Sequence, residues 1–327
     1  MDLYPLKFRP WLRTMVWGGD KIAPFKGVCT EESNIGESWE ISGVEGHISE
    51  VAEGPLLGKD IKGLIEEYKG ALVGEKVYRE KGTEFPLLIK FIDARSDLSI
   101  QVHPDDEMAA RVHGKGSNGK TEMWYVVSAD PGAFLLSGLN RQISPSEYVK
   151  MVEDNTITDV LARHTLSPGD VFFLPAGRIH AIGSGTFITE IQQTSDYTYR
   201  IYDYGRLGLD GKPRQLHTEL AKEAIDYKVY PSYRTSYSPA KNTEIPLVSC
   251  PYFVTSLYDI DRPLCIDMSS LDSFLILICV EGSGEVSATI PGSQSPVPIH
   301  RGETVLIPAC ASSVSLSGTL KVLTSHL

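Results

Sequence analysis

Cysteine is scarce in this chain, and its placement suggests no covalent role. Only five of the 327 residues are cysteine, and no two of them form a Cys-x-x-Cys pair. An odd number of cysteines without paired spacing argues against a disulfide framework and against a zinc site built from thiolates. Cys279 lies inside an apolar run, as a small buried hydrophobic residue would. The sequence therefore predicts a reducing compartment and a fold without covalent crosslinks.

Long hydrophobic runs are also missing. The apolar run at residues 274–280 is far too short to cross a bilayer. A signal peptide has a basic region followed by an apolar stretch, and the N-terminus shows no such pattern. No Asn-x-Ser/Thr sequence is present either. We therefore expect a cytoplasmic protein that does not bind membranes.

Positive charge is in deficit. Thirty-one Lys and Arg residues stand against 42 Asp and Glu residues, so the formal net charge is −11. Binding to DNA, RNA or anionic lipid requires a basic face, which this balance argues against. We expect no nucleic-acid or membrane partner. A small anionic ligand in a local basic pocket remains compatible with the net charge.

The chain is long enough for about two domains, and its patterns are mainly those of strands. Twenty-nine glycines and twenty prolines are spread along it, which indicates many turns. Apolar or alternating segments bounded by turn residues predict strands over residues 85–92, 97–103, 122–127, 170–174 and 185–193. These segments predict a mainly β fold.

Four short helices are expected between the strands. Their predicted ranges are residues 61–69, 104–112, 144–162 and 218–225. The third begins with a Ser-Pro-Ser-Glu sequence, in which Ser144 and Glu147 have the spacing of a capping box. We expect this segment, at about residues 144–163, to form a small helical insertion.

An internal repeat gives the most information about the architecture. Residues 167–182 resemble residues 300–315, with Gly169 aligned to Gly302, Asp170 to Glu303, and Pro175 to Pro308. This order of glycine, acid, apolar strand, proline turn and second strand is typical of cupin-type jelly-roll barrels. His180 falls opposite Ser313, so only the first copy retains a possible ligand. We predict two such barrels, at residues 1–235 and 236–327, the second degenerate and without metal ligands.

One glycine-rich motif is expected to be a decoy. Residues 114–121 satisfy both Gly-x4-Gly-Lys-Thr and Gly-x-Gly-x-x-Gly, patterns that bind nucleotide phosphates. Both require a strand before the loop and a helix after it. Here a predicted helix comes first and a strand follows, which indicates a flexible connection instead.

Four residues suggest a metal site inside the first barrel. Gln101 and His103 are two apart on an alternating strand, so their side chains project from the same face. Glu122 opens the next strand, and His180 follows the Pro-Ala-Gly turn. Imidazole and carboxylate ligands suit zinc or another divalent transition metal. His113 is expected at the end of a short helix, and the five other histidines, His217 among them, are expected at the surface.

The same residues carry a family resemblance. The stretches at residues 98–106, 119–125, 175–183 and 190–200, with residues 16–19 and 37–42, resemble type I mannose-6-phosphate isomerases in their shorter bacterial form. The resemblance implies a catalytic first barrel. It also implies interconversion of mannose 6-phosphate and fructose 6-phosphate with zinc on Gln101, His103, Glu122 and His180, cobalt and manganese being possible substitutes.

The resemblance also assigns residues to the reaction. By motif position it implies catalytic roles for Lys120, Glu190, Asp196 and Arg200, and places Ser99 and Lys90 at the phosphate end. Aldose–ketose isomerisation moves a proton between C1 and C2 through an enediol, so it needs an acid, a base and a stabiliser of the oxyanion. The sequence leaves open whether Glu190, Asp196 or a Lys120 of lowered pKa is the base. It also leaves the oligomeric state open.

The chain departs from the longer family members in two places. Those members carry a larger helical region, and they continue after the arginine with a Gly-Leu-Thr-Pro-Lys stretch. Residues 201–206 have a different sequence here, so the lysine of that stretch has no assigned counterpart. The phosphate contacts are therefore incomplete.

Two other functions are compatible with the sequence. One is a cupin metal-dependent oxygenase, which usually needs three histidines or a two-histidine carboxylate set with iron. The other is a non-catalytic sugar-binding cupin. The glutamine ligand and the nearby Lys120 and Arg200 favour phosphosugar chemistry over both.

Overall fold

Strands account for most of the regular structure. The computed structural model describes residues 3–291 and 296–327, so the parts of the predicted domains at residues 1–2 and 292–295 lie outside the described residues. The strands up to residue 235 are β1 (Leu6–Lys7), β2 (Trp11–Gly19), β3 (Ile35–Ile41), β4 (Leu87–Ala94), β5 (Ile100–Val102), β6 (Glu122–Ala129), β7 (Phe134–Leu139), β8 (Leu161–Thr165), β9 (Val171–Leu174), β10 (His180–Ile182), β11 (Thr186–Gln193), β12 (Tyr199–Tyr202) and β13 (Arg234–Thr235). Those after it are β14 (Glu244–Ser249), β15 (Val254–Ile260), β16 (Leu264–Asp267), β17 (Leu275–Ala288), β18 (Val297–His300), β19 (Thr304–Ile307) and β20 (Ser313–His326). The five predicted strands are confirmed, and the fold is mainly β.

Two antiparallel sheets enclose the core of the first barrel. One has the order β12-β5-β10-β7-β8, and the other has the order β13-β9-β6-β11-β4-β2-β3. A single buried hydrophobic cluster contains Leu135 and Ile182 from the first sheet and Trp124, Val126 and Ile188 from the second. Because side chains alternate along each strand, every second residue of β5, β6, β10 and β11 points into the space between the sheets.

The second half is built on one eight-stranded antiparallel sheet, whose main order is β1-β19-β17-β20-β15-β14. The two copies of the predicted repeat are the β9–turn–β10 and β19–turn–β20 units. Gly169 and Gly302 both have positive φ values, 91° and 83°, so each copy needs glycine at the same point of its turn. His180 opens β10, and Ser313 opens β20.

One strand from the N-terminal part of the chain belongs to the sheet of the second half. After β13, the last strand of the first two sheets, every strand from β14 onward belongs to the eight-stranded sheet; the boundary near residue 235 is our proposal. The short strand β1, however, pairs with β19 of the second half. The N-terminal segment therefore contributes to the second sheet before the chain enters the first barrel.

The helices are α1 (Ile22–Lys26), α2 (Ile61–Tyr68), α3 (Gly70–Val73), α4 (Glu75–Lys81), α5 (Asp106–His113), α6 (Pro145–Glu153) and α7 (Thr218–Ala224), with a 3-10 turn at Ile157–Val160. Three of them, α1, α3 and α4, were not predicted from the sequence. No helix in the described ranges is both long and apolar enough to cross a membrane.

The helical insertion is shorter than its sequence pattern predicts. The capping box of Ser144 and Glu147 is present, but α6 ends at Glu153 instead of continuing toward Ala162. Asn155 then takes a positive φ of 57°, which turns the chain out of the helix. The segment Leu161–Thr165 forms strand β8 because it pairs with β7. Sheet pairing here overrides the local helical pattern.

The glycine-rich segment is a connection from a helix to a strand, as predicted. It joins α5 to β6, an order that cannot direct a helix N-terminus at a phosphate. At Gly119 a Cβ atom would lie 2.5 Å from the backbone carbon of Asp105, so the loop packs tightly against the start of α5. This packing delivers the next residue, Lys120, into the barrel.

Candidate active site

Three predicted ligands meet between the two sheets of the first barrel. Possible donor atoms of His103, Glu122 and His180 all lie within 4.8 Å of one another, and all three residues are buried. Glu122 opens β6 on one sheet, and His180 opens β10 on the other. His180 Nε2 is 3.3 Å and His103 Nε2 is 3.7 Å from the carboxylate of Glu122. The arrangement is that of a two-histidine, one-carboxylate metal site.

Backbone carbonyls fix both imidazoles. Nδ1 of His103 lies 2.9 Å from the carbonyl oxygen of Tyr197, and Nδ1 of His180 lies 2.8 Å from that of Arg178. Each Nδ1 therefore carries the proton, and each Nε2 presents a lone pair to the centre of the site. Burial lowers the pKa of both histidines, and nearby Lys120 lowers it further. Neutral imidazoles of this kind are ready metal ligands.

Glu122 is the residue that most needs a further partner. It is 0% exposed, and its carboxylate lies 2.6 Å from Nζ of Lys120, 3.3 Å from Nε2 of His180 and 3.7 Å from Nε2 of His103. Burial, with a contribution from the neighbouring Glu190, raises its pKa. A buried carboxylate without hydrogen bonds is costly unless a cation compensates it. Lys120 compensates this carboxylate in part, and the set of two imidazoles and one buried carboxylate within 4.8 Å fits a divalent cation.

Gln101 lies where the fourth predicted ligand is required. It pairs with His180 in the β5–β10 register, and its side-chain amide is 3.3 Å from Nε2 of that histidine. A half-turn of the side-chain amide exchanges Oε1 and Nε2 of Gln101, which directs Oε1 toward the cluster of His103, Glu122 and His180. The structure therefore brings all four predicted ligands together.

Two lysines and a second carboxylate surround this cluster. Lys120 Nζ lies 2.6 Å from Glu122 and 3.6 Å from Glu190, and Lys90 Nζ lies 3.2 Å from Glu190. Burial would lower the pKa of Lys120, but the carboxylates of Glu122 and Glu190 raise it more. Burial would likewise raise the pKa of Glu190, yet Lys120 and Lys90 hold it below its usual value. The alternative of a Lys120 with lowered pKa is therefore not what this charge arrangement favours.

A cavity of about 290 Å³ opens beside the cluster. Seven predicted site residues line it, namely Lys90, Ser99, Gln101, Lys120, Glu190, Asp196 and Arg200. The other three predicted residues, His103, Glu122 and His180, lie directly behind Gln101 and Lys120. All ten predicted residues are thus grouped around one cavity.

Arg200 lies in that cavity without an acidic partner. Its Nε donates to Ser99 Oγ at 3.3 Å, and its Nη1 donates to the carbonyl of Gln215 at 3.0 Å. In the described part of the chain no carboxylate oxygen, that of Asp196 four residues earlier included, comes within 4.0 Å of its guanidinium. Its charge remains available to a ligand.

Several cavity residues were not predicted from the sequence. The wall also includes Arg13, Glu37, Arg214 and His217. His217, expected at the surface, is half-buried and lines the cavity. Its backbone N–H donates to the carbonyl of Arg200, and its Nδ1 accepts from the Arg200 N–H. No spacing signal links these residues, since they come from β2, β3 and the segment after β12.

Comparisons with known proteins agree with this geometry. Residues 6–128 match the family model of phosphomannose isomerase type I, catalytic domain, and residues 243–327 match that of the mannose-6-phosphate isomerase cupin domain. The mannose-6-phosphate isomerase ManA of Bacillus subtilis is 32% identical over the whole of both chains. That of Streptococcus mutans is 30% identical over 98% of each.

A solved structure shows the same fold. The crystal structure of mannose 6-phosphate isomerase from Bacillus subtilis superimposes with a TM-score of 0.89 at 32% identity, covering 99% of this chain and all of that one. The fold and the buried His-Glu-His cluster define a cupin enzyme with a possible metal centre. Within that class, the chain belongs to the type I mannose-6-phosphate isomerase family, whose members are aldose–ketose isomerases.

Proposed function

We propose that this protein interconverts D-mannose 6-phosphate and D-fructose 6-phosphate. One observation carries the proposal beyond family membership: a metal-type cluster, a protonated lysine and an unpaired arginine all adjoin a single cavity. Aldose–ketose isomerisation requires such a concentration of positive charge, because an oxyanion develops during proton transfer. An oxygenase has no comparable need for Lys120 and Arg200.

Zinc is the proposed cofactor, with Gln101, His103, Glu122 and His180 as its four ligands. The two Nε2 lone pairs and their convergence with the buried Glu122 carboxylate support this assignment. Cobalt and manganese are the expected substitutes, since they accept the same nitrogen and oxygen donors. When bound, such a cation polarises a carbonyl oxygen of the sugar.

The protein's own residues then hold the substrate and move the proton. Lys120, whose pKa is raised, supplies a fixed positive charge to the cavity, and Arg200 supplies a second. Glu190 is ionised, because Lys120 and Lys90 lower its pKa, and it is proposed as the base; the same lowered pKa limits its strength as a proton acceptor. Asp196 is the alternative base.

Ser99 and Lys90 are proposed for the phosphate end, but their settings differ. Ser99 Oγ is beside Arg200, whereas Lys90 is paired with Glu190 and lies over the ring of Trp39, 4.9 Å from its centroid. We therefore expect the phosphate to bind near Ser99 and Arg200. The cytoplasmic location and the absence of nucleic-acid partners are proposed from the composition alone.

A coupled assay on mannose 6-phosphate tests the function. We expect turnover by protein reconstituted with zinc or cobalt, and loss of about 10²–10³ in kcat for Arg200→Ala if its charge acts on the transition state. Wild-type kcat/KM in Arg200→Ala would overturn that assignment, and absence of turnover in the metal-loaded wild type would overturn the function.

Elemental analysis tests the metal separately. Glu122→Gln and His180→Ala should lose bound metal, whereas His300→Ala, which alters an exposed histidine of the second half, should retain it. Activity in purified protein that contains no divalent metal would contradict the metal assignment.

A further inference from the structure

The segment after β12 folds back onto the strand that carries Arg200. His217 donates its backbone N–H to the carbonyl of Arg200 at 2.7 Å, and its Nδ1 accepts from the Arg200 N–H at 3.1 Å. The carbonyl of Gln215 accepts from the Arg200 guanidinium. This pairing brings Arg214 to the cavity wall beside Arg200 and Ser99.

A buried carboxylate anchors this segment. The side chain of Asp203 is only 6% exposed, and it accepts hydrogen bonds from two guanidiniums, those of Arg206 and Arg214. Arg214 donates through Nε at 2.7 Å and Nη2 at 2.5 Å, in the two-point geometry that fixes the plane of a guanidinium. The side chain of Arg214 is therefore held in place before any ligand arrives.

The two guanidiniums bound to Asp203 are not equivalent. Arg206 uses all three of its nitrogens, Nε and Nη2 on Asp203 and Nη1 on the carbonyl of Asp97, and it does not line the cavity. Arg214 makes no hydrogen bond from Nη1 within residues 3–291 and 296–327, and it does line the cavity. Only Arg214 has both a free donor and access to a ligand.

Charge is unbalanced at this end of the cavity. Arg200, Arg206 and Arg214 are neighbours, and Asp203 is the one carboxylate that pairs with them in the described ranges. Burial lowers the pKa of Arg200, and the charges of Arg214 and Arg206 lower it further, which shows how close the three cations lie. The lysines of the cavity, in contrast, are already paired with carboxylates. A bound anion with two charges would balance the excess.

We propose that Arg214, oriented by Asp203, binds the phosphate of the substrate together with Ser99, and that it determines the preference for phosphorylated over neutral sugars. This inference rests on the proposed function, since it assigns a residue to the substrate of the same site. A guanidinium fixed in advance loses little side-chain freedom on binding, so its contact with phosphate contributes mainly to affinity. Arg206 is the natural control, because it shares the same carboxylate but lies outside the cavity.

The test compares Arg214→Gln with Arg206→Gln. Loss of one charge-assisted contact to phosphate should raise KM for mannose 6-phosphate by about 10- to 100-fold, with kcat changed by no more than a few fold. The inhibition constant of inorganic phosphate should rise in parallel. Arg206→Gln should change both values much less. Arg214→Lys, which keeps the charge but loses the two-point geometry, should fall between wild type and Arg214→Gln.

Equal KM and equal phosphate inhibition in Arg214→Gln and wild type would overturn the inference, provided that thermal midpoints and metal contents match. A fall in kcat with unchanged KM would overturn it as well. If the wild type does not turn over mannose 6-phosphate, the proposed function fails. Calorimetric titration with mannose 6-phosphate and with inorganic phosphate then tests Arg214 without reference to turnover. Equal affinities of wild type and Arg214→Gln for these ligands would refute its role.

Discussion

The buried ion pair between Lys26 and Glu40 allows a quantitative prediction about stability. Lys26, at the end of α1, places Nζ 2.8 and 2.7 Å from the two carboxylate oxygens of Glu40 and 2.5 Å from the carbonyl of Gly302. The side chains of the pair are 6% and 4% exposed. The pair therefore joins the first barrel to a turn of the second half.

The substitution Lys26→Met should be severe because it leaves a charge behind. Glu40 would retain only the hydrogen bond from Ser38 Oγ, and a buried carboxylate without its cation costs about 3–5 kcal/mol. In the double variant Lys26→Met/Glu40→Gln no buried charge remains, and the amide can still accept from Ser38. We expect the double variant to recover more than half of the loss.

Urea denaturation of the metal-loaded protein measures the effect. The exposed pair of Lys59 and Glu67 serves as the control, and Lys59→Met should cost less than about 1 kcal/mol. Because neither Lys26 nor Glu40 lines the cavity of the proposed active site, kcat/KM of folded Lys26→Met should equal that of wild type. A loss below about 1 kcal/mol, or a double variant no more stable than the single one, would refute the reasoning.

Three further outcomes are expected. Arg178→Met should lower metal affinity by about 10-fold in chelator competition, because the Arg178 side chain stacks on Tyr230 and Tyr233 while its carbonyl orients His180. The control Arg163→Met, at an exposed position, should leave metal affinity unchanged. Equal metal affinity in Arg178→Met and wild type would contradict the prediction. Burial would raise the pKa of Asp203, but Arg214 and Arg206 lower it below its unfolded value of 3.8. The stability that the carboxylate contributes is therefore complete above pH 3.8 and is lost as the pH falls through the lower, folded pKa. The gap in stability between wild type and Asp203→Asn should therefore be constant between about pH 5 and 8 and shrink below about pH 3.8, and a gap that widens on acidification would contradict it. Removing metal by chelation should lower the thermal midpoint, and re-addition should restore it.

The sequence was informative where function depends on local order. The Gln-x-His spacing placed two predicted ligands, Gln101 within β5 and His103 just after its end, on one face, since side chains two apart on an extended chain share a face. The repeat predicted which turn carries His180 and which carries Ser313. Strong alternation and turn residues identified the main strands, because these signals act within a few residues.

The same local signals failed where distant pairing decided the outcome. Residues 161–163 continue a helical pattern, yet they pair with β7 as part of a sheet. Strand β1 is followed directly by the first barrel in sequence, but it hydrogen-bonds to β19 of the second half. Neither partner lies close enough in the chain to leave a periodic signal.

The sequence by itself determined the family, the mainly β fold and the ten residues that the cavity brings together. Only the tertiary structure decided their electrostatics: Lys90 and Lys120 are paired with buried carboxylates, whereas Arg200 has no acidic partner among the described residues. Arg214 and His217 show the reason most clearly. Their roles depend on how residues 203–217 fold around Asp203 and back onto Arg200, and that contact is made by hydrogen bonds between segments with no common period.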